Sequence, residues 1–136
     1  MDLTRTNYSS GAPLEEKAGY SRTVKAGPFV YVGGTTSVQP DGSVFGENDG
    51  YAQTKYILDK MVRCLEQAGS KREEVIRIKM YATDMSRTGE YIKAYSEIFK
   101  EIRPLCTLVG ISALNRPSQL IEIEMDAIIG SSVCRF

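Results

Sequence analysis

The 136-residue sequence predicts an α+β fold, one sheet carrying two helices on a single face, and three patterns carry that expectation. Residues 102–129 hold two apolar–polar alternating runs, separated by Asn115-Arg116-Pro117-Ser118-Gln119. In the second run Ile121, Ile123, Met125, Ala127 and Ile129 share one parity, while Glu122, Glu124 and Asp126 share the other. A period of two is the mark of a strand with one face on a core. Two other stretches, near residues 51–68 and 84–102, have apolar residues at helical spacing instead. Strand-like and helix-like segments interleaved in this way make a layered α+β domain.

Taken in order, residues 1–18 read as an irregular arm, with loop chemistry at Ser9-Ser10-Gly11-Ala12-Pro13. Residues 20–26 and 29–36 read as strands closed into a hairpin by Ala26-Gly27-Pro28. Gln39-Pro40-Asp41-Gly42 marks a turn, followed by a polar surface loop to Gly50. Ile57, Leu58, Met61, Leu65 and Ala68 set a helix over 51–68, which Gly69 stops. Ser70 and Glu73 have the spacing of a capping box over one short turn. Ile76, Ile78, Met80 and Ala82 against Arg77 and Lys79 make 75–83 a strand. Asp84 or Ser86 is placed to cap a second helix bearing Tyr91, Ile92, Tyr95, Ile98, Phe99 and Ile102, and Pro104 terminates it.

The closing runs then form a hairpin about Pro117, giving the order β-β-α-β-α-β-β. In its first run Leu105, Thr107, Val109, Ile111 and Ala113 hold the apolar parity and Cys106, Leu108, Gly110 and Ser112 the other. Folded about Pro117, Glu122 falls opposite Ser112 and Cys106 opposite Ile128. Cys106 and Glu122 then share a face but lie roughly 20 Å apart in one subunit. One domain over 19–130, between the arm 1–18 and a tail 131–136, accounts for the chain.

Composition narrows the function. The 17 basic and 17 acidic residues cancel, leaving no electrostatic footprint for nucleic acid or an anionic membrane. There is no histidine, which removes Ser-His-Asp and Cys-His mechanisms, histidine metal ligands and the usual base near neutral pH. Cys64, Cys106 and Cys134 are odd in number and widely spaced, so neither a metal cluster nor a disulfide framework is expected. No apolar run reaches the length of a membrane span and the N-terminus has no apolar leader region, so a cytoplasmic protein is expected. Cys64 is expected to be buried on its helix, and Cys134 to lie in a frayed tail.

With helices covering Ile76, Ile78, Ile121 and Ile123, the second sheet face carries Arg77, Lys79, Glu122, Glu124 and Asp126, with Leu108, Tyr81 and Ile128 among them. Such a mixed face is either half-solvated or a subunit interface.

Several spaced motifs resemble one family. They are Gly19-Tyr20-Ser21-Arg22, Tyr31-Val32-Gly33-Gly34-Thr35-Thr36, Tyr51-Ala52-Gln53-Thr54, Val75-Ile76-Arg77, Tyr81-Ala82-Thr83-Asp84, Arg103-Pro104, Val109 and Ile121-Glu122-Ile123-Glu124. In that order, over residues 19–129, the chain resembles the RidA/YjgF family, also called L-PSP endoribonuclease-like. Many of its members hydrolyse enamines and imines as 2-iminobutanoate/2-iminopropanoate deaminases. The resemblance implies a chorismate-mutase-like fold and a homotrimer with a central barrel. It further implies small-molecule clefts between subunits, with no cofactor, metal, nucleic acid or membrane partner.

By the same resemblance, Glu122 is the catalytic carboxylate orienting water, and Tyr20, Gly33, Gly34, Cys106 and Thr107 bind substrate. Cys106 stands where deaminating members carry the arginine that clamps a substrate carboxylate, and Gly33 stands where a serine is frequent. Each residue has a plainer alternative. Glu122 can be a rung of a cross-strand ladder with Arg77 or Lys79. Tyr20 can be a core aromatic, and Gly33 and Gly34 a bulge or a close backbone approach. Cys106 can be a small filler, having no histidine to activate it. Arg22, of the same parity as Tyr20, and Arg103 are candidates to replace the missing clamp. Two functions follow: an imine or enamine hydrolase with altered substrate choice, or a non-catalytic small-molecule-binding or regulatory trimer. Ribonuclease activity is disfavoured by the zero net charge and absent histidine.

Overall fold

In the computed structural model, which describes residues 3–133 and 135, six strands make one sheet. They are β1 (Arg5–Tyr8), β2 (Thr23–Ala26), β3 (Phe29–Thr35), β4 (Val75–Ala82), β5 (Leu105–Gly110) and β6 (Ile121–Ile128), and their spatial order is β1-β2-β3-β6-β4-β5. Three helices accompany them: α1 (Pro13–Ala18), α2 (Gly50–Gln67) and α3 (Thr88–Phe99). The α+β class and the helical layer on one face agree with the sequence reading. Cys134 lies outside the described residues.

The arm differs from its expectation. Its first strand pairs with β2 from Arg5↔Ala26 to Tyr8↔Thr23, and Pro13 opens a six-residue helix. What orders this segment is the buried carboxylate of Glu15, which accepts from the Ser9 hydroxyl at 3.0 Å and the Ser10 amide at 3.0 Å. The serines that read as loop chemistry are thus the ligands of a buried charge. Gly19, left-handed at φ 87°, ends α1 and turns the chain so that Tyr20 follows.

The first hairpin forms as expected, with Ala26 opposite Phe29 across Gly27-Pro28. Helix α2 is capped by Asp49, whose carboxylate accepts from the Ala52 amide at 2.9 Å, and Gly69 ends it in the left-handed region. The expected capping box is absent. Ser70 donates to Glu74 at 2.9 Å, and the 3₁₀ turn Arg72–Glu74 has no side-chain cap. Asp84 caps a 3₁₀ turn, Met85–Arg87, from which α3 continues.

The core lies between α2, α3 and the face bearing Val30, Val32, Ile78, Met80, Ile121, Ile123 and Met125, all nearly or wholly buried. Burial of this many branched side chains, each contributing about 1.5–3 kcal/mol, is what offsets chain ordering. Ile76 is a correction: a register shift between Val75 and Arg77 puts Val75 in the core and leaves Ile76 exposed.

The larger correction concerns the closing strands, which do not pair. β6 inserts between β3 and β4, antiparallel to both, while β5 runs parallel to β4 on the sheet edge. Glu122 is opposite Tyr81 rather than Ser112, and Cys106 is beside Ile78 rather than Ile128. Residues in register share a face, so Cys106 and Leu108 face the helices, while Leu105, Thr107 and Val109 share the face of Glu122. Cys106 and Glu122 are therefore on opposite faces, about 14 Å apart along the sheet.

Candidate active-site cleft

A strand cannot carry two consecutive residues on the same face without a bulge, and β3 has one. Its register with β6 shifts between Val32↔Met125 and Thr35↔Ile123, at Gly33-Gly34. Both plain readings of this pair hold. Gly33 donates its amide to the Arg22 carbonyl at 2.8 Å, and a Cβ on Gly34 would lie 2.9 Å from the Glu122 carboxylate. Glycine at 34 thus leaves the Glu122 carboxylate its position, from which a methyl would displace it.

Glu122 extends into a cleft of about 920 Å³ formed by the arm, the loop 36–42, the outer side of α2 and the loop 114–119. Its ladder reading fails on register. Arg77 and Lys79 are opposite Asp126 and Glu124, and Glu122 itself is opposite Tyr81, whose hydroxyl donates to Glu124 instead. That bond, before burial, pushes the Tyr81 phenol up to about 12. Burial pushes the Glu122 carboxyl above its ordinary value, the neighbouring Glu124 adds to this, and Arg22 opposes it. Among the described residues nothing donates a hydrogen bond to this carboxylate, so its lone pairs face the cleft.

Tyr20 and Arg22 line the same cleft, with the guanidinium 5.6 Å from the ring centroid. Arg22 is 8 % exposed. Its Nη1 donates to the Gly34 carbonyl and to Thr35 Oγ1 at 3.4 Å, and its Nε lies 3.5 Å from Glu15. Glu15 answers in kind. Burial would raise its carboxyl, but the bonds from Ser10 and Ser9 and the charge of Arg22 outweigh that and hold it below 4.5. A depressed carboxyl stabilises the fold fully above its unfolded value and loses that contribution as pH falls toward the folded value. Glu15→Gln is therefore expected to lower stability at pH 7 by about 1–3 kcal/mol. Its thermal midpoint should also fall less than that of the wild type below pH 4.5. Thermal melts between pH 7 and 3 check both.

The other two nominated residues lie elsewhere. Cys106 and Thr107 are on the exposed edge strand β5, outside the cleft walls. Burial raises the Cys106 thiol above its ordinary value and a hydrogen bond from Tyr95 of α3 only partly offsets it, the opposite of an activated thiolate. Arg103 adopts a left-handed turn at φ 59° after α3 and lines a second, shallower groove, not the cleft. Of the nominated set, one chain brings together Tyr20, Gly34, Glu122 and Arg22, with Gly33 behind them. Sequence reasoning missed Glu15, Lys60 and Arg63. The only signal for the last two was their position on the polar side of α2.

Among the described residues no three of Cys, Asp and Glu are grouped to hold a metal ion, and no helix is long and apolar enough to cross a membrane.

Residues 10–129 match the family model described as Endoribonuclease L-PSP. The chain belongs to the RidA/YjgF family. An uncharacterized protein of Streptomyces coelicolor is 34 % identical over 125 residues, covering 90 % of each chain. A RutC family protein of Pyrococcus abyssi is 31 % identical over 109 residues, covering 80 % of this chain and 84 % of its own. A crystal structure of a YjgF-family member from Mycobacterium tuberculosis superposes with a TM-score of 0.83 at 39 % identity, covering 93 % of this chain and all of the other. The RidA/YjgF motifs now have physical reasons here: Gly19 turns Tyr20 toward the cleft, Gly34 clears Glu122, and the glutamates of β6 face away from the helices.

Proposed function

We propose that this RidA/YjgF chain is a hydrolase acting on an imine or enamine of a small metabolite, with Glu122 orienting the attacking water. The observation that carries the reading is a carboxylate without a protein hydrogen-bond donor, held above its ordinary pKa in a cleft beside Tyr20 and Arg22. A base of this kind accepts a hydrogen bond from water and takes its proton as the oxygen adds to the C=N carbon. That proton then passes to nitrogen to give a carbinolamine. Its hydroxyl gives up its own proton to the amine as the C–N bond breaks, and ammonia and a carbonyl compound leave. An enamine enters after protonation at carbon converts it to the imine. Neither step calls for a cofactor.

The reading extends to a cytoplasmic homotrimer with clefts between subunits. Its support is the exposed edge strand β5, which carries Cys106 and Thr107 and would need a neighbouring copy to reach a cleft. With Cys106 at the arginine position, a bidentate clamp worth about 1.5–3 kcal/mol is missing, about ten- to a hundredfold in binding. Amino-acid-derived imino acids should be poor substrates by that margin. The same absence favours a second reading, a family member that keeps the cleft for binding or regulation without turnover.

Ammonia release from freshly generated imino acids tests the choice. Cys106→Arg is expected to raise kcat/KM on α-imino acids about ten- to a hundredfold. If neither protein hydrolyses any imine offered, while Glu122→Gln binds cleft ligands as the wild type does, the hydrolase reading fails and the binding reading stands.

A further inference from the structure

The cleft has more positive charge than its proposed chemistry uses. Its described walls carry Lys17, Arg22, Lys60, Arg63 and Arg116 against only Asp41 and Glu122, in a chain of zero net charge. Three of the cations converge from two elements: Arg22 precedes β2, while Lys60 and Arg63 lie on the stripe of α2 that also brings Tyr56, Cys64 and Gln67 to the cleft.

Arg22 is more than nine-tenths buried yet incompletely used. Both of its hydrogen bonds leave from Nη1, and its buried Nε faces the Glu15 carboxylate at 3.5 Å. Among the described residues Nη2 has no hydrogen bond, so this arm of the fork remains for a ligand. Lys60 is half-buried, and among the described residues no carboxylate lies within ion-pair distance of it or of Arg63. Burial depresses the Lys60 ammonium and the nearby Arg22 adds to this, with Cys64 and Glu15 opposing. An anion between these groups would relieve the repulsion between the cations.

We infer that Arg22, Lys60 and Arg63 form an oxyanion subsite, which holds a phosphate or carboxylate group of the ligand whose reactive carbon is presented to Glu122. This rests on the cleft being the ligand site: the anionic group is anchored within one subunit by cations away from position 106. That favours an imine whose anionic group is not on the reactive carbon over the α-imino acids that an arginine at 106 would clamp. A cationic amine, which Glu122 alone would attract, is disfavoured by Arg22 and Lys60.

The test is calorimetric titration of the full-length protein with inorganic phosphate and, separately, with oxalate, at matched ionic strength, with choline as the cationic control. Saturable binding of either anion is expected, about tenfold weaker in Lys60→Met and in Arg63→Gln, neither of which removes a hydrogen bond of the fold. The tighter of the two anions identifies the group the subsite takes. Glu122→Gln should bind the anion at least as tightly, because a nearby negative charge is gone. Absence of saturable binding, or equal affinity in both cation variants, overturns the subsite. If phosphate or oxalate binds as described and no imine is hydrolysed, only the hydrolase reading falls. If imines are hydrolysed with a KM unchanged in Lys60→Met and no inhibition by either anion, only the subsite falls.

Discussion

Glu122→Gln is expected to lower imine hydrolysis by about two orders of magnitude or more, the usual contribution of a positioned base, while making the protein more stable. The two effects have one cause. Burial and the neighbouring Glu124 hold the Glu122 carboxyl above its ordinary value, so the folded state disfavours the charge that catalysis needs. A carboxyl raised on folding lowers stability above its folded value, and the penalty fades as pH falls through that value. Glutamine removes the penalty without changing the shape. At pH 7 a gain of about 1 kcal/mol, or about 4 °C in the thermal midpoint, is expected. In the wild type, the acid limb of kcat/KM should lie above the ordinary value of 4.5. Gly34→Ala supplies the partner experiment. Its methyl would sit 2.9 Å from the carboxylate, at the movable end of a side chain, so the fold survives and the base is displaced. A comparable loss of kcat with little change in midpoint is the expected result. Melts and pH–rate profiles of the two variants check it, and a Glu122→Gln protein with full turnover would exclude the water-orienting role.

The largest effect on stability is expected from Gln53→Leu. Gln53, in the first turns of α2, is wholly buried and fully engaged. Its Nε2 donates to the Ser118 carbonyl at 2.8 Å and the Gly46 carbonyl at 3.2 Å, and its Oε1 accepts from the Leu120 amide at 2.9 Å. One amide thus ties two loops to the helix just before β6 begins. Leucine leaves the Ser118 carbonyl and the Leu120 amide without partners in an apolar setting, at about 1–3 kcal/mol each where water cannot reach them, while the Gly46 carbonyl keeps the Asp49 amide at 3.0 Å. A loss of about 3–5 kcal/mol in denaturant unfolding is expected, with faster amide exchange at Leu120. An unchanged unfolding midpoint would show that water replaces both bonds. Because loop 114–119 is a wall of the cleft, weaker ligand binding should accompany the loss.

Much of the fold was legible because periodicity reports which face a residue presents. The alternation of β6 and the spacing along α2 and α3 identified the core side of each, as Ile121, Ile123, Met61 and Phe99 confirm by complete burial. Local chemistry placed the Gly27-Pro28 turn and the stop at Gly69, but not the short helix that Gly19 ends. Strand partnership was not legible. Two alternating runs joined by a turn-like loop satisfy a hairpin as well as a crossover, since period two says nothing about which neighbour a strand bonds. The parity of β5 misled for the same reason: on an edge strand Leu105 and Val109 stay exposed, so an apolar residue no longer marks the core.

The sequence by itself determined the family, the α+β layer, the parity that directs Glu122 away from the helices, and the absence of histidine. Only the tertiary structure decided what Glu122 meets. Inserting β6 between β3 and β4 gave its ladder neighbours Arg77 and Lys79 to Asp126 and Glu124, and set Glu122 against Gly34. It also brought Arg22 and Lys60, 38 positions apart, into one wall. The reason is that charge environment depends on through-space distance, which falls off over a few ångströms, whereas sequence pattern records only the direction each residue faces along its own element.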